Sequence, residues 1–490
     1  MTQQKVVVVG AGFGGLSAAS FLADEGFDVE LVEKNDHVGG RASVLEEDGY
    51  RFDMGPSWYL MPDIFDRYFE KLGVRQKDFY ELHRLDPNYS IFFKDGDRMD
   101  VPANPEEAAE LFETYEEGAG DEFRRYLTKS EETYEIGMNE FVLKDRNNFR
   151  DYLSLDVLKN ARGISLIKKM QDHVEEYFDN PKLQQVMQYT LVFLGGSPNN
   201  TPALYNLMSH VDFNMGVYYP EGGIYSVVEG MKELAEQKGV EFSTDEPVRR
   251  IDREDEKTVV ETDDRTIEAD AVVSNADYAF TETELVPDEY TTYDEEYWDS
   301  RTYAPSAFLI YMGIDKEVDL EHHSLVLPED WSPHFEKIFD EPALPENPSY
   351  YICNPSDTDD TVAPEGKSAI FILVPLAAEL DLSDEQRQEF RDLVIQDLEE
   401  ETGVEIDEDI EYEKIFAGQE FKEKYNSYNG TALGIAHTLR QTSVFRPKQR
   451  SKEMEGLYYV GQYTNPGIGM PMCLISGEHA AEKVTEDLKG

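Results

Sequence analysis

The residues with the clearest chemistry are glycines near the start of the chain, at Gly10, Gly12 and Gly15. Their G-x-G-x-x-G spacing is that of a turn whose backbone N–H groups approach a pyrophosphate. Gly10 allows the tight turn, Gly12 lets the backbone approach the phosphates, and Gly15 lets helix and strand pack closely. Glu33 is expected to accept hydrogen bonds from ribose hydroxyls, and an acid there disfavours the 2′-phosphate of NADP.

The elements around these glycines form a predicted β-α-β unit. Residues 6–9 are expected to form a short buried strand, 16–25 an amphipathic helix, and 29–32 a second strand that ends at Glu33. The N-terminus of the helix adds a favourable field for phosphates. Because strand, glycines, helix, strand and acid all agree, we interpret the segment as dinucleotide-binding rather than as a glycine turn in some other α/β fold.

The composition is strongly acidic. The chain has 490 residues and a net charge of −57, from 102 acidic and 45 basic residues spread over its length. Since aromatic residues are plentiful, disorder fits poorly, and the charge indicates a halophilic protein. In molar salt the Debye length is about 3 Å, so self-repulsion is screened. The same charge argues against nonspecific binding of nucleic acid.

The cysteine content and the hydropathy indicate where in the cell the protein is located. Cys353 and Cys473 are the only cysteines, and they predict neither a disulfide framework nor a cysteine metal site, so no metal is expected. The chain enters a strand almost at once, which leaves no room for a signal peptide. The longest apolar run, residues 369–378, is too short for a bilayer span and is expected to be a buried strand. These features predict a cytoplasmic protein, soluble or peripheral to a membrane.

The length predicts two intertwined domains, and the β-α-β unit predicts an α/β fold. A discontinuous nucleotide-binding domain is expected from residues 1–75, 215–285 and 430–490, and a mixed-sheet substrate domain from 76–214 and 286–429, with a helical lid at about 105–190. Residues 248–251, 258–262 and 271–274 are predicted to form an antiparallel meander. A late strand, 456–460, is expected to return beside the first strand and to place its glycine loop near the cofactor.

Further motifs give the chain a family resemblance. After the first glycines come Gly39-Gly40-Arg41-Ala42 and Phe52-Asp53-Met54-Gly55-Pro56, which resemble flavin amine-oxidase-type proteins. Within these the chain looks most like the phytoene (carotenoid) desaturases of bacterial type, in a haloarchaeal version. The stretches that carry this narrower resemblance are residues 195–198, 201–203, 216–223, 431–434, 437–441, 445–447, 459–461 and 466–471.

The resemblance implies noncovalent FAD in a Rossmann-like domain. Gly10, Gly12, Gly15 and Glu33 would hold its ADP half, Gly40 and Arg41 the diphosphate and flavin, and the backbone of Val248 the adenine. Gly461, Gly469 and Met470 would lie against the ribityl chain and isoalloxazine. Gln462 departs from the family pattern, in which an acid often binds the ribityl hydroxyls. Cys473 lies in the same loop, so covalent attachment is an alternative.

The implied reaction is desaturation of a polyene, in which a hydride passes to flavin N5 and a proton leaves the neighbouring carbon. Arg41, Asp53 and His437 are the polar candidates for catalysis. Asp53 has the alternative role of binding nearby backbone, and His437 that of a satisfied core histidine. A carotenoid must be drawn from a membrane, and residues 157–170 combine basic and apolar residues without an acid. They predict a membrane-facing lid; the alternative is a basic face paired with acids elsewhere in the protein.

The sequence is compatible with more than one substrate and more than one function. The substrate is either phytoene or a hydroxylated C50 precursor that is 3,4-desaturated on the way to bacterioruberin-type pigments. A flavin-dependent carotenoid isomerase and a non-catalytic prenyl-lipid carrier of the same fold are the alternatives. The absence of a second nucleotide fingerprint argues against NAD(P)H, and the electron acceptor is expected to be oxygen or a quinone.

Overall fold

The computed structural model describes residues 3–144, 168–438 and 440–490. Its strands, in chain order, are β1 (Lys5–Val9), β2 (Asp28–Val32), β3 (Val44–Glu47), β4 (Tyr50–Asp53), β5 (Leu82–Arg84), β6 (Tyr89–Phe93), β7 (Asp97–Val101), β8 (Tyr218–Pro220), β9 (Glu241–Ser243), β10 (Val248–Glu254), β11 (Lys257–Thr262), β12 (Thr266–Ala269), β13 (Ala271–Ser274), β14 (Ser306–Ile314), β15 (His323–Leu327), β16 (Tyr350–Cys353), β17 (Ser368–Leu376), β18 (Ile410–Phe416) and β19 (Leu457–Tyr459).

The α-helices of these residues are α1 (Phe13–Asp24), α2 (Pro62–Lys71), α3 (Pro105–Tyr115), α4 (Ala119–Gly137), α5 (Met170–Val174), α6 (Pro181–Val186), α7 (Leu207–Ser209), α8 (Ile224–Lys238), α9 (Tyr278–Phe280), α10 (Glu295–Asp299), α11 (Ser332–Phe339), α12 (Asp384–Thr402), α13 (Gly418–Tyr425) and α14 (Met470–Lys489).

A five-stranded parallel sheet carries the N-terminal unit. Its order is β19-β13-β1-β2-β9, with β1 between β13 and β2. The strand β1 is an almost continuous apolar run because helices and strands cover it on both faces. The predicted return of the late strand is confirmed in part, since β19 pairs with β13 and not with β1.

The predicted meander is also corrected by this sheet. The antiparallel three-stranded sheet is β10-β11-β12, and its second hairpin turns at Asp263 and Asp264 as expected. Its third strand is β12, however. Residues 271–274 instead form β13, in parallel register with β1. The alternation of apolar residues in 266–269 was too short to separate the two strands by sequence.

A seven-stranded mixed sheet forms the other half of the molecule, in the order β18-β14-β17-β16-β15-β6-β7. The run at residues 369–378 falls on β17, which confirms the predicted buried strand. Residues that alternate along β14 and β17 divide between two cores. Phe308, Ile310 and their neighbours pack on α12, whereas Leu309 belongs to a larger core on the opposite face of the sheet.

Helices cover this larger core. α3, α4, α5 and α6 fall in the region predicted as a helical lid; most of the proposed membrane-facing segment, residues 157–167, lies outside the described residues. The parallel sheet is built from the three segments predicted for the nucleotide-binding domain, and the mixed sheet from the two predicted for the substrate domain. We retain those boundaries as a proposal. In the part of the chain that is described, no helix is both long and apolar enough to cross a membrane.

Candidate functional site

A single cavity of about 1130 Å³ begins at the glycine turn of the parallel sheet and extends across the mixed sheet. Its first part lies at the carboxyl ends of β1, β2 and β13, where Gly10, Glu33 and Asn275 line it. This edge is where open parallel sheets bind nucleotides. The cavity therefore joins the predicted nucleotide site to the core of the second sheet.

The glycine turn has the close packing that its spacing predicts. Gly10 has φ +95°, which favours glycine. A Cβ on Gly15 would lie 2.0 Å from the carbonyl oxygen of Gly10, so any side chain there would push helix α1 off the turn. Gly10 and Gly12 line the cavity, whereas Gly15 lies behind them. Gly12 is the N-cap of α1 and makes no side-chain cap, so the helix N-terminus remains available to a ligand.

Glu33 follows β2 and is 4% exposed. Its Oε2 accepts a hydrogen bond from Ala11 N at 2.8 Å, and its Oε1 accepts from the backbone and side-chain nitrogens of Asn35 at 2.9 and 2.8 Å. The carboxylate thus fixes the glycine turn against β2 while it lines the cavity. This position suits the predicted ribose contact.

Arg41 lies in a short 3-10 turn, Gly40–Ala42, and both Gly40 and Arg41 line the cavity. The Arg41 Nη2 donates to Ser427 Oγ at 3.0 Å and lies 3.7 Å from Asp277 Oδ2. Its guanidinium also lies 5.7 Å from the centre of the Tyr425 ring. Its Nε is buried and has no hydrogen-bond partner. A guanidinium held in this way has a donor left for an anionic or carbonyl oxygen.

Asn275 and Asp277 are cavity residues that the sequence reasoning missed. Both follow β13, at the same sheet edge as the glycine turn. A Cβ on Gly12 would lie 2.8 Å from Asn275 Nδ2. Asp277 is buried and accepts from Tyr463 Oη at 2.8 Å, and burial raises the pKa of its carboxyl group, with Arg41 opposing the rise. The strand that precedes them, residues 271–274, could have indicated both residues if it had been assigned to the parallel sheet instead of the antiparallel meander.

His437 lines the cavity with both ring nitrogens occupied. Its Nε2 accepts from Ile468 N at 3.1 Å, and its Nδ1 lies 2.7 Å from Tyr205 Oη. Nε2 therefore carries no proton, and Nδ1 donates to Tyr205. Burial, with the Arg446 charge nearby, lowers the pKa of His437 well below its ordinary value. These contacts favour the core role over a general base, and they fix the loop that contains Gly469.

That loop leads into α14, whose first residue is Met470. Gly469 and Met470 line the cavity, as do Gln462 and Cys473. Gly461 is set back from it and donates its N–H to Ser476 Oγ at 3.0 Å. Gly461 itself does not line the cavity, and its contact with the flavin stays a prediction. Burial raises the pKa of the Cys473 thiol to about 12, so the thiol is protonated and a poor nucleophile.

Asp53 does not line the cavity. Its Oδ2 accepts from Ile224 N at 2.7 Å and its Oδ1 from Tyr225 N at 3.0 Å, so the carboxyl group caps the N-terminus of α8. Burial raises its pKa to about 6, and the two backbone donors oppose that rise. The catalytic expectation for Asp53 is thus corrected in favour of the structural alternative. Val248, the first residue of β10, does line the cavity beside Glu33.

The far part of the cavity is apolar. One face of the mixed sheet forms its floor, and helical residues cover the opposite side. The apolar side chains along this part include Val192, Leu194, Met208, Leu309, Leu325, Leu327, Phe335, Ile338 and Leu373. Such a lining accepts a long hydrocarbon and offers few hydrogen-bonding groups along its length.

Two features bear on how a ligand enters. Phe445, in a one-turn 3-10 segment, lines the cavity and is 57% exposed. In the predicted lid segment, Lys168 forms an ion pair with Glu176 at 2.6 Å. At Lys168 this ion pair agrees with the alternative prediction, a basic face that pairs with acids elsewhere in the protein. Residues 157–167 lie outside the described part of the chain.

Three features of the nucleotide end of the cavity suit a flavin cofactor that carries phosphate. The glycine turn has no room for side chains, the N-terminus of α1 has no side-chain cap, and Arg41 Nε is buried without a partner. Together these offer backbone donors and one charged donor to phosphate and ring oxygens.

Comparison with known proteins agrees with this geometry. The family model "Flavin containing amine oxidoreductase" matches residues 13–485. A carotenoid 3,4-desaturase from Haloarcula japonica is 58% identical, over 100% of this chain and 99% of the relative. A zeta-carotene-forming phytoene desaturase from Myxococcus xanthus is 33% identical, over 98% and 94%. The crystal structure of an oxidoreductase from Methanosarcina mazei aligns with a TM-score of 0.61 at 17% identity, over 98% and 100% of the two chains, which shows the shared fold.

Proposed function

The chain belongs to the carotenoid desaturases of the flavin containing amine oxidoreductase family, and we propose that it uses FAD to introduce the 3,4 double bond into a hydroxylated C50 carotenoid. The observation that carries the proposal is the continuity of one cavity, from the nucleotide-binding turn to an apolar channel. The 58% identity to the Haloarcula japonica relative favours the 3,4 bond over the bonds of phytoene.

We propose that FAD binds noncovalently at the nucleotide end. The residues proposed to hold it are Gly10, Gly12, Glu33, Gly40, Arg41, Val248, Gly469 and Met470, to which the cavity adds Asn275 and Asp277. Gly15 and Gly461 do not line the cavity and are proposed to shape the turn and the loop behind it. FAD supplies a hydride acceptor at N5. The protonated Cys473 thiol supports noncovalent binding, because attachment would require a thiolate.

The protein's own contribution is positioning and exclusion of water. His437 has both nitrogens bound and stays neutral, so it fixes the loop before α14 rather than moving a proton. The Arg41 guanidinium offers its unpartnered Nε to an oxygen acceptor. The apolar floor holds a C–C bond of the polyene in place without a strong base. A delocalised allylic cation loses a proton readily, which suits a site of this kind.

We further propose that the substrate enters from a membrane surface near Phe445. An exposed aromatic ring at a cavity wall is an apolar contact for lipid or for the polyene itself. Turnover also requires an electron acceptor, oxygen or a quinone. An anaerobic assay with an added quinone separates these two acceptors.

The test is a direct comparison of substrates. The purified protein, loaded with FAD in molar KCl with liposomes, is incubated with phytoene and with a hydroxylated C50 carotenoid. We expect only the C50 compound to give a product with a longer conjugated system, seen as a red shift. Desaturation of phytoene alone would replace the 3,4 assignment, and isomerisation without a gain in conjugation would favour the isomerase. A preparation that binds carotenoid without flavin absorbance would favour the carrier.

A further inference from the structure

A buried cluster of metal-binding side chains lies behind the cavity wall. One ring nitrogen of His322, one of His323 and the Cys353 Sγ all lie within 4.8 Å of one another. All three residues are at most 3% exposed. His323 and Cys353 are direct cross-strand partners in β15 and β16, and His322 immediately precedes β15. Their proximity is therefore set by sheet register and not by flexible loops.

The histidines are oriented in the way that metal ligands are. His322 Nδ1 lies 2.8 Å from Thr358 Oγ1, and His323 Nδ1 lies 2.7 Å from Tyr351 Oη. In each ring the other nitrogen, Nε2, is buried and has no hydrogen-bond partner. Ligating histidines characteristically bond a second residue through one nitrogen and the metal through the other.

Two unpartnered buried nitrogens beside a thiol are costly unless something binds them. A buried polar atom without a partner costs about 1 to 3 kcal/mol. Ordinary core packing would put apolar side chains or hydrogen-bond partners here, as it does around His334, whose two nitrogens are both bonded. The contrast with His334 distinguishes the cluster from a satisfied core histidine.

We propose that His322, His323 and Cys353 form a binding site for a single zinc ion. Imidazole nitrogen and thiolate sulfur are the ligands that zinc prefers, and three protein ligands leave a fourth tetrahedral position for water. Metal–ligand distances of about 2.0 to 2.3 Å separate tetrahedral ligands by about 3.3 to 3.8 Å. The observed spacing extends to at most 4.8 Å, so binding would draw the three ligand atoms closer together. Binding replaces the Cys353 thiol proton, which is released to solvent, with the ion.

The site would stabilise one wall of the cavity. The His323 ring stacks on Trp58 with centroids 4.1 Å apart and planes 10° apart, and Trp58 and Tyr351 both line the cavity. An ion held by His323 and Cys353 would fix this stack and the pairing of β15 with β16. The sequence alone predicted no cysteine metal site, because the two histidines and Cys353 are joined only by strand pairing.

The test measures metal content, so it does not depend on the proposed function. Protein purified without a metal-affinity tag is washed in molar KCl with EDTA and excess Mg²⁺, which clears weak sites on the acidic surface. We expect about one zinc per chain by mass spectrometry, held by the three protein ligands. Wild-type protein that is folded but holds no zinc, both as purified and after refolding with Zn²⁺, overturns the proposal.

Matched variants locate the ion. Cys353→Ser and His323→Gln should lower retained zinc at least ten-fold, whereas Cys473→Ser should retain it. His83→Gln, which removes the histidine of the exposed Glu81–His83–Glu221 group, should also retain it. Retention by folded Cys353→Ser, or loss in His83→Gln alone, contradicts the assignment.

Cobalt gives a second readout in the wild-type protein. Refolding with Co²⁺ should produce the thiolate-to-cobalt absorption and the intense visible bands of a tetrahedral site. Cys473→Ser should keep both features, since its cysteine takes no part. Weak octahedral bands without the thiolate feature would show ions on surface carboxylates only and would overturn the proposal even if Cys353→Ser fails to fold.

Discussion

The Oε2 atom of Glu33 accepts a hydrogen bond from the backbone N–H of Ala11 at 2.8 Å. This contact ties the end of β2 to the glycine turn and keeps a carboxylate at the edge of the cavity. One acidic side chain therefore orders the turn and faces the region proposed for the ribose.

Replacement of Glu33 by Gln should weaken FAD binding about ten- to hundred-fold, since hydrogen bonds to charged groups contribute about 1.5 to 3 kcal/mol. Isothermal titration of the flavin-free protein measures this change. Asp28→Asn, at the exposed start of β2, alters the net charge equally and should leave affinity unchanged. Equal weakening in both variants would attribute the effect to charge alone.

How far the sequence predicts this site depends on the range of the contacts. The β-α-β unit is local, so its glycines, its helix and Glu33 were all identified from a short segment. Asn275 and Asp277 were not, because β13 joins β1 only through pairing between residues far apart in the chain. The orientation of His437 depends on Tyr205, from another part of the fold. The apolar floor needs the order of the mixed sheet, which alternation along single strands does not give.

Substitution of His437 should leave the shape of the pH profile of the reaction unchanged. Burial and the nearby Arg446 lower the pKa of His437 well below its ordinary value, so the ring is neutral throughout the neutral range. His437→Ala should reduce stability by about 1 to 3 kcal/mol, because Ile468 N loses its acceptor. His437→Gln should restore part of that loss.

The measurement is kcat/KM against pH for both variants, together with their unfolding free energies. A positioning role predicts the same profile shape as the wild type, with a lower amplitude that follows retained FAD. Disappearance of a titrating limb in His437→Gln, with FAD fully retained, would instead identify the imidazole as a proton acceptor.

Titration of the Asp212 carboxyl group should lower the free energy of unfolding as pH rises. It is buried and accepts from Tyr89 Oη at 2.8 Å. Burial raises its pKa to about 7, with the hydrogen bonds of Tyr89 and Tyr189 opposing the rise. The folded state therefore holds a proton that the unfolded state releases near pH 4, and the stabilising contribution of the protonated form is lost between pH 4 and 7.

Asp212→Asn removes this titration and keeps an acceptor for Tyr89. The melting temperature of Asp212→Asn minus that of the wild type should therefore increase from pH 5 to pH 8 in molar KCl. Using the difference between the two proteins cancels the other carboxylates, many of which titrate in the opposite sense. A difference that is constant with pH would place the pKa of Asp212 near its ordinary value.

The acidic surface should require salt. With a net charge of −57, repulsion extends about 10 Å at about 0.1 M salt but only about 3 Å at about 1 M. The melting temperature should therefore rise steeply with KCl. Sucrose at matched osmolality favours the burial of apolar surface without screening charge, so it should raise the melting temperature only a little. An equal rise of the melting temperature in sucrose would show that exclusion of the solute from the protein surface, and not charge screening, causes the salt effect.

Membrane contact should depend more on Phe445 than on the basic segment. Lys168 is already paired with Glu176, and molar salt screens its attraction to anionic headgroups. Phe445 is 57% exposed at the cavity, and transfer of this exposed part into lipid contributes about 1 to 2 kcal/mol. Phe445→Ser should therefore weaken binding to anionic vesicles about ten-fold in molar KCl, with FAD content unchanged.

The charge arm of this experiment uses Lys168→Glu with Lys169→Glu. Its matched control is Lys257→Glu with Lys316→Glu, two residues that do not line the cavity and that change the net charge equally. In molar KCl both pairs should bind vesicles like the wild type, and at the lowest salt that keeps the protein folded the first pair should bind more weakly. If the first pair alone loses binding in molar KCl while Phe445→Ser binds normally, the basic segment and not the aromatic ring makes the contact.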